Sequence, residues 1–356
     1  MAHSDECAAF LHTPPLPCKH YKKIFGGVDT VCTAISDNTN GFLFGRTLDL
    51  EHSYGERIIL TPRHKRLNFL HQTSIGEHPA ILGIGILQGD TPLYFDAINE
   101  SGLAIAALNF PKSAIYRDVN IGKRNLASFE VIPHLLSSCK SLDDAKAILN
   151  DVNITCESVS EELPASPLHW LIADRCGAIV LESTGDGLKI HENPFGVLTN
   201  EPPFPYHAAS IASYLHLSSE PPENKLAPSV DIAPLSRGAG ALGLPGDLSS
   251  PSRFIRAVFM KEHADKAQNT ADSVSRFFHI MDSVCVPKGA IKTDSGASVY
   301  TVYTSCADPE HMRYCFTTYS SRRIREISPT ECEMQGSSTL SFPIAEREHI
   351  TRLSFT

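Results

Sequence analysis

The chain has 356 residues, enough for one large domain or two ordinary ones. With 42% hydrophobic and 20% charged residues, 22 glycines and 24 prolines, it has the usage of a folded globular protein, which excludes collagen, coiled coil and wholesale disorder. Its 31 Lys and Arg against 40 Asp and Glu leave a net charge of -9, which argues against a nucleic-acid surface or a polybasic membrane anchor and leaves a small-molecule partner as the default.

Residues 1–31 are polar, with Pro14, Pro15 and Pro17 close together, then Lys19, Lys22 and Lys23, and no apolar period; they read as an appendage. Asp5 and Glu6 stand where a signal peptide carries basic residues, and Cys7 to Leu11 is too short for its apolar core of ~7–15 residues. From Val31 the pattern turns to short strands at Val31–Ile35, Gly41–Gly45 and Arg57–Leu60, followed by apolar strands at Ala80–Leu87 and Leu103–Leu108. The longest apolar stretches fall far short of the roughly 20 residues that span a bilayer, so no membrane partner is expected.

Between Ser128 and Asn150 the period is helical, with Ser141 as N-cap and Asp143 and Asp144 in the first turn. Strands return at His169–Asp174, Ala178–Ser183 and Gly196–Thr199, and a proline-rich connection runs from Ser218 to Ser250. Two helices follow, one capped by Ser250 with Pro251 at its first position, the other beginning after Thr270; strands near Ser298–Ser305 and Met312–Thr318 close the pattern. The order predicts an α+β sandwich, one domain over residues 32–356 with no internal linker.

Several motifs carry little. Gly238 to Gly243 matches G-x-G-x-x-G, but Pro245 and Gly246 follow where a helix should open, so it reads as a glycine-rich turn. Ten cysteines and sixteen histidines contain no C-x-x-C and no H-E-x-x-H, so no metal is expected, and reduced thiols in the cytoplasm are the simplest reading. Taken alone, Cys32 would be a small buried hydrophobe, with Arg46 and Asp49 a strand-end ion pair.

That default gives way to an ordered set of segments: Cys32-Thr33-Ala34, Phe44-Gly45-Arg46-Thr47-Leu48-Asp49, Asn99-Glu100-Ser101-Gly102-Leu103, Leu108-Asn109-Phe110-Pro111, Leu168-His169-Trp170, Gly196-Val197-Leu198-Thr199-Asn200, Gly243-Leu244-Pro245-Gly246-Asp247 and Ser252-Arg253-Phe254-Ile255-Arg256. Together they resemble the choloylglycine hydrolases, the bile salt hydrolases and penicillin V acylases among the N-terminal nucleophile hydrolases. The resemblance implies an αββα four-layer sandwich and no organic cofactor or metal.

It also implies roles. Cys32 would be an N-terminal nucleophile whose own α-amine is the base, with Asp49 holding the amine and Arg46 beside the sulfur. Asn109, by its backbone N–H, and Asn200, by its side chain, would bind the oxyanion, and Arg253 completes the site. Asn109 stands where penicillin V acylases tend to carry tyrosine, so the resemblance points to glycine- or taurine-conjugated bile acids such as glycocholate or taurocholate, with a homotetramer as the assembly and penicillin V acylase as the alternative. Thr47 departs from the asparagine of the family pattern.

The larger departure is that thirty-one residues precede Cys32, and an amide-linked Cys32 nitrogen would leave only a non-catalytic binder of steroid amides. Valine can be encoded by GTG, a bacterial start codon, and Gly26-Gly27 by GGAGGT, a ribosome-binding sequence three codons upstream. A misplaced start is therefore expected ahead of a propeptide cut at Val31–Cys32, and either way the working chain begins at Cys32.

Overall fold

A computed structural model of the chain describes residues 31–161 and 163–355. The expected appendage lies, Val31 apart, outside the described residues. Two antiparallel sheets pack face to face. The first has the strand order Val197–Leu198, Val31–Asp37, Leu43–Leu50, Ser298–Asp308, Arg313–Thr318 and Ser321–Ile327, with Ile291–Lys292 added to Ser298–Asp308. The second runs Gly187–Glu192, Gly177–Thr184, Leu168–Asp174, Ala104–Asn109, Thr91–Asn99, Ile81–Gln88, Arg57–Thr61 and Leu340–Pro343.

Helices Ser250–His263 and Thr270–Asp282 cover the first sheet, and Val131–Ser138 and Leu142–Leu149 cover the second, which makes the αββα sandwich. The central strands are buried on both faces, which is why they read as continuous apolar runs without alternation. Ala104, Ala106 and Leu108 enter the core that joins the sheets, while Ile105 and Ala107 pack with Val131, Ile132 and Leu135 on the outer side. Small residues at the centre let the sheets and their strands approach. Gly45 is the extreme case: a Cβ there would lie 2.0 Å from the carbonyl oxygen of Ser305 on the neighbouring strand.

The helical segment is broken in two because Cys139 is extended, and Ser141 caps the second half by accepting from the Asp144 N–H. Ser250 is not the cap of its helix. Ser249 takes that place, and the Ser250 hydroxyl instead accepts from the backbone N–H of Asn200 at 2.8 Å. Asn269, similarly, caps the helix that begins at Thr270. The expected turn at Gly238 is present, with Gly238 in the left-handed region at φ 80°. Seven of the eight described cysteines are free, but Cys156 is disulfide-bonded, against the expectation of wholly reduced thiols.

If close strand approach at Gly45 is required, Gly45→Ala should lower stability in urea by at least about 2 kcal/mol, because the pairing with Ser298–Asp308 must open. A loss below about 0.5 kcal/mol would show that the strands can separate at little cost.

Candidate active site

Strand pairing sorts the site residues onto two faces. Val31–Asp37 and Leu43–Leu50 pair with Cys32 opposite Leu48, Ala34 opposite Arg46, Thr33 opposite Thr47 and Val31 opposite Asp49. Opposed residues share a face, and successive residues alternate. Cys32, Arg46, Leu48 and Leu50 therefore look into the gap between the sheets, where they line a cavity of about 290 Å³. Val31, Thr33, Thr47 and Asp49 look the other way, toward the helix that carries Arg253. The cavity wall is mainly apolar, with Leu93, Phe95, Ile132 and Trp170 facing Leu48 and Leu50.

Arg46 crosses from the first sheet to the second. Between Thr91–Asn99 and Ala104–Asn109, the ladder holds only from Asp96–Ala106 to Ile98–Ala104 and then opens. The guanidinium fills that split, with Nη1 donating to Phe95 O at 3.2 Å and to Ala107 O, and Nε to Thr47 O at 3.1 Å. Its buried Nη2 has no protein partner among the described residues. Burial opposes the charge, but Cys32, Tyr303, Asp96 and Asp49 together hold the Arg46 pKa above its ordinary value.

Asn200 is the hub on the other side of Cys32. Its Oδ1 accepts from the Cys32 N–H at 2.7 Å and from Arg253 Nη2 at 2.8 Å, and its Nδ2 donates to Asn109 O at 2.9 Å. Arg253 Nη1 donates to Cys32 O at 2.5 Å and to Thr33 Oγ1 at 2.6 Å. One amide and one guanidinium thus fix both backbone polar groups of Cys32. Burial lowers the Arg253 pKa to about 10, against the attraction of Asp49 and Cys32.

Asp49 is fully buried and accepts from Thr301 Oγ1 at 2.6 Å and from Thr47 Oγ1 at 3.0 Å. Burial raises its pKa to about 6, although Arg253 and the two hydroxyls favour the carboxylate. The described Cys32 nitrogen, still linked to Val31, bonds to Asn200 and not to Asp49. Thr47, the departure from the family pattern, connects them indirectly: its hydroxyl accepts from the Thr33 N–H at 3.2 Å while donating to Asp49.

All six expected residues converge on this place. Four residues support them: Ser250, read from the sequence only as a helix cap, through the Asn200 N–H, and three that the sequence does not mark, Thr301 through Asp49, Ser305 through the Arg46 N–H at 3.0 Å, and Asp96 behind Ser305. Thr301, Ser305 and Asp96 lie on strands far along the chain from Cys32, where no spacing marks them. No group of three or more His, Cys, Asp or Glu among the described residues is arranged to hold a metal ion.

The model of the choloylglycine hydrolase family, linear amide C–N hydrolases, matches residues 32–342. The chain is 42% identical over 314 residues to a bile salt hydrolase/transferase of Lactiplantibacillus plantarum, covering 88% of this chain and 97% of that one. It is 36% identical over 280 residues to a conjugated bile acid hydrolase of Lactobacillus gasseri, covering 78% and 89%. A variant of the conjugated bile acid hydrolase from Clostridium perfringens superposes with a TM-score of 0.83 at 31% identity, over 91% of this chain and 100% of that one. A penicillin V acylase from Agrobacterium tumefaciens shares the fold with a TM-score of 0.69 at 20% identity, over 88% and 90%.

The raised pKa of Asp49 fixes the sign of a stability test. An acid whose pKa is higher in the folded state than in the unfolded one adds stability that is complete below about pH 4 and lost as the pH rises through about 6. At pH 7 the charge therefore costs about 3 kcal/mol relative to the same group in water. In the chain that keeps Val31, Asp49→Asn should leave the thermal midpoint at pH 7 unchanged or higher, with less gain at pH 4; in the chain that begins at Cys32 it should abolish activity. A large fall in the midpoint at pH 7 would mean that the carboxylate holds the fold together.

Proposed function

The chain belongs to the choloylglycine hydrolase family of linear amide C–N hydrolases, and from that premise we propose that it is a bile salt hydrolase, cleaving the amide bond of glycine- or taurine-conjugated bile acids with Cys32 as nucleophile. One observation carries the reading: Cys32 turns its side chain into an apolar cavity beside Arg46 while its nitrogen lies 2.7 Å from Asn200. A steroid suits such a wall, and the named activities of the Lactiplantibacillus, Lactobacillus and Clostridium relatives support the substrate class.

The working chain begins at Cys32, where the family match also begins. Removal of residues 1–31 turns the Cys32 amide into an α-amine, which titrates at about 7.7–8.0 in peptides and can accept the thiol proton near neutral pH. The opening occurs opposite Asp49, the cross-strand partner of Val31, so a charged amine would meet a buried carboxylate there. Arg46 lines the same cavity as Cys32 and sets a cation on the face from which the sulfur acts.

The sulfur attacks the amide carbonyl, and the oxyanion is held by the Asn109 N–H and the Asn200 side chain. An amide nitrogen carries two hydrogens; Asn200 spends one on Asn109 O and offers the other. The amine passes its proton to the leaving glycine or taurine nitrogen, the C–N bond breaks, and a steroid thioester remains on Cys32. Water, deprotonated by the same amine, hydrolyses the thioester and restores the thiol. Arg253 keeps the Cys32 carbonyl and Asn200 in register throughout. The enzyme works in the cytoplasm as a homotetramer, in keeping with the mostly free cysteines and the family resemblance.

Cys32→Ala should be folded and inactive on glycocholate, and Asn200→Ala should lose ~10²–10³ in kcat as an oxyanion donor does. The unaltered enzyme should prefer glycocholate to penicillin V. Turnover of glycocholate by Cys32→Ala would refute the nucleophile, and preference for penicillin V would move the substrate to the acylase class.

A further inference from the structure

Asp96 lies buried between the sheets on Thr91–Asn99, and no step of the reaction above uses it. Three hydroxyls from the opposite sheet converge on its carboxylate. Tyr303 Oη donates to Oδ1 at 2.5 Å, Ser305 Oγ donates to Oδ2 at 2.9 Å, and Tyr314 Oη donates to the same Oδ2. Burial raises the Asp96 pKa, and Arg46 together with the three hydroxyls opposes that rise and favours the carboxylate.

The connection to Arg46 has two further links. Ser305 Oγ accepts from the Arg46 N–H at 3.0 Å while donating to Asp96, so one hydroxyl joins the carboxylate to the arginine backbone. Phe95, the residue before Asp96, offers the carbonyl that receives Arg46 Nη1 at 3.2 Å. The strand segment Phe95–Asp96 thus meets Arg46 at both ends, where the ladder of the second sheet opens.

We infer that Asp96 is a positioning residue: with Ser305, Tyr303 and Tyr314 it fixes the Arg46 guanidinium in the split between Thr91–Asn99 and Ala104–Asn109, and its negative charge tempers the pull of Arg46 on the Cys32 sulfur. The inference rests on Cys32 being the nucleophile. The charged and titratable groups concerned are few. Arg46 faces Cys32, Tyr303, Asp96 and Asp49; Asp96 faces Arg46, Tyr303 and Tyr314; Cys32 faces Arg46 and Arg253, with Asn200 at its nitrogen.

The sign follows from this arrangement. Without the charge of Asp96, only Asp49 of the two carboxylates still offsets the pull of Arg46 on the sulfur, and iodoacetamide meets a reactive sulfur at lower pH. A less basic thiolate is also a weaker nucleophile, and asparagine keeps the shape that seats Phe95 and Ser305 against Arg46, so turnover falls although the guanidinium keeps its place and the steroid wall is untouched.

The test is the rate of Cys32 modification by iodoacetamide from about pH 5 to about pH 9, located by mass spectrometry, with kcat and KM for glycocholate measured beside it. In Asp96→Asn the midpoint should fall by ~0.5–1 pH unit, kcat should drop about twofold to threefold, and KM should stay within about twofold. Tyr303→Phe should move the midpoint the same way by less. In an Arg46→Leu background, Asp96→Asn should add no further shift, because the effect passes through Arg46.

An unchanged midpoint in folded Asp96→Asn, or an equal shift with and without Arg46, overturns the inference. Should Asp96→Asn fail to fold, an unchanged midpoint in Tyr303→Phe overturns it alone. Iodoacetamide modification of Cys32 in the unaltered enzyme without loss of glycocholate hydrolysis would instead refute the nucleophile and, with it, this role of Asp96.

Discussion

The register between Val31–Asp37 and Leu43–Leu50 is the constraint on which the site depends. A strand has period 2, so pairing Cys32 with Leu48 sends Cys32 and Arg46 into the cavity and Thr47 and Asp49 toward Arg253. A slip of one residue would exchange the faces, burying the sulfur against the helix and exposing the carboxylate to the steroid wall. Gly45 guards that register from the side, because its strand meets Ser298–Asp308 at a distance that no Cβ tolerates. The chemistry and the sheet are therefore specified by the same few residues.

The core that results is unusually charged. Arg46, Asp49, Asp96 and Arg253 are all buried, in a position where an unpaired charge would cost several kcal/mol. Each is instead surrounded by oriented partners: carbonyls for the arginines, hydroxyls for the aspartates. Those partners are themselves fixed in strands, so the site gains an arrangement that needs little reorganisation when charge develops on a substrate. The raised pKa of Asp49 indicates that the fold holds this group at a cost to its own stability.

Much of the architecture was legible because the strands carry their period and their punctuation. The buried strands Ile81–Gln88 and Ala104–Asn109 announced themselves as apolar runs, and Ser141 announced its helix. Thr91–Asn99 did not, because Pro92 opens it and Asp96 interrupts its apolar run for a reason that lies on the other sheet. The edge strands Gly187–Glu192 and Ser321–Ile327 are too exposed to show a core face. Ser250 looked like a cap because it precedes Pro251, but its hydroxyl is claimed by Asn200, a tertiary contact between residues 50 apart. The six candidate residues were readable only as an ordered family pattern, since singly each has an ordinary structural explanation. Thr301, Ser305 and Asp96 support them from positions that only the folded sheets bring near.

The proposed mechanism turns on one atom, the nitrogen of Cys32, which would be an amine once Val31 is removed and is an amide while Val31 precedes it. The most direct measurement is the intact mass of protein purified from the native host by its glycocholate-hydrolysing activity, with the N-terminus sequenced. The account predicts a chain beginning at Cys32; active protein that retains His3 through Thr30 would contradict it.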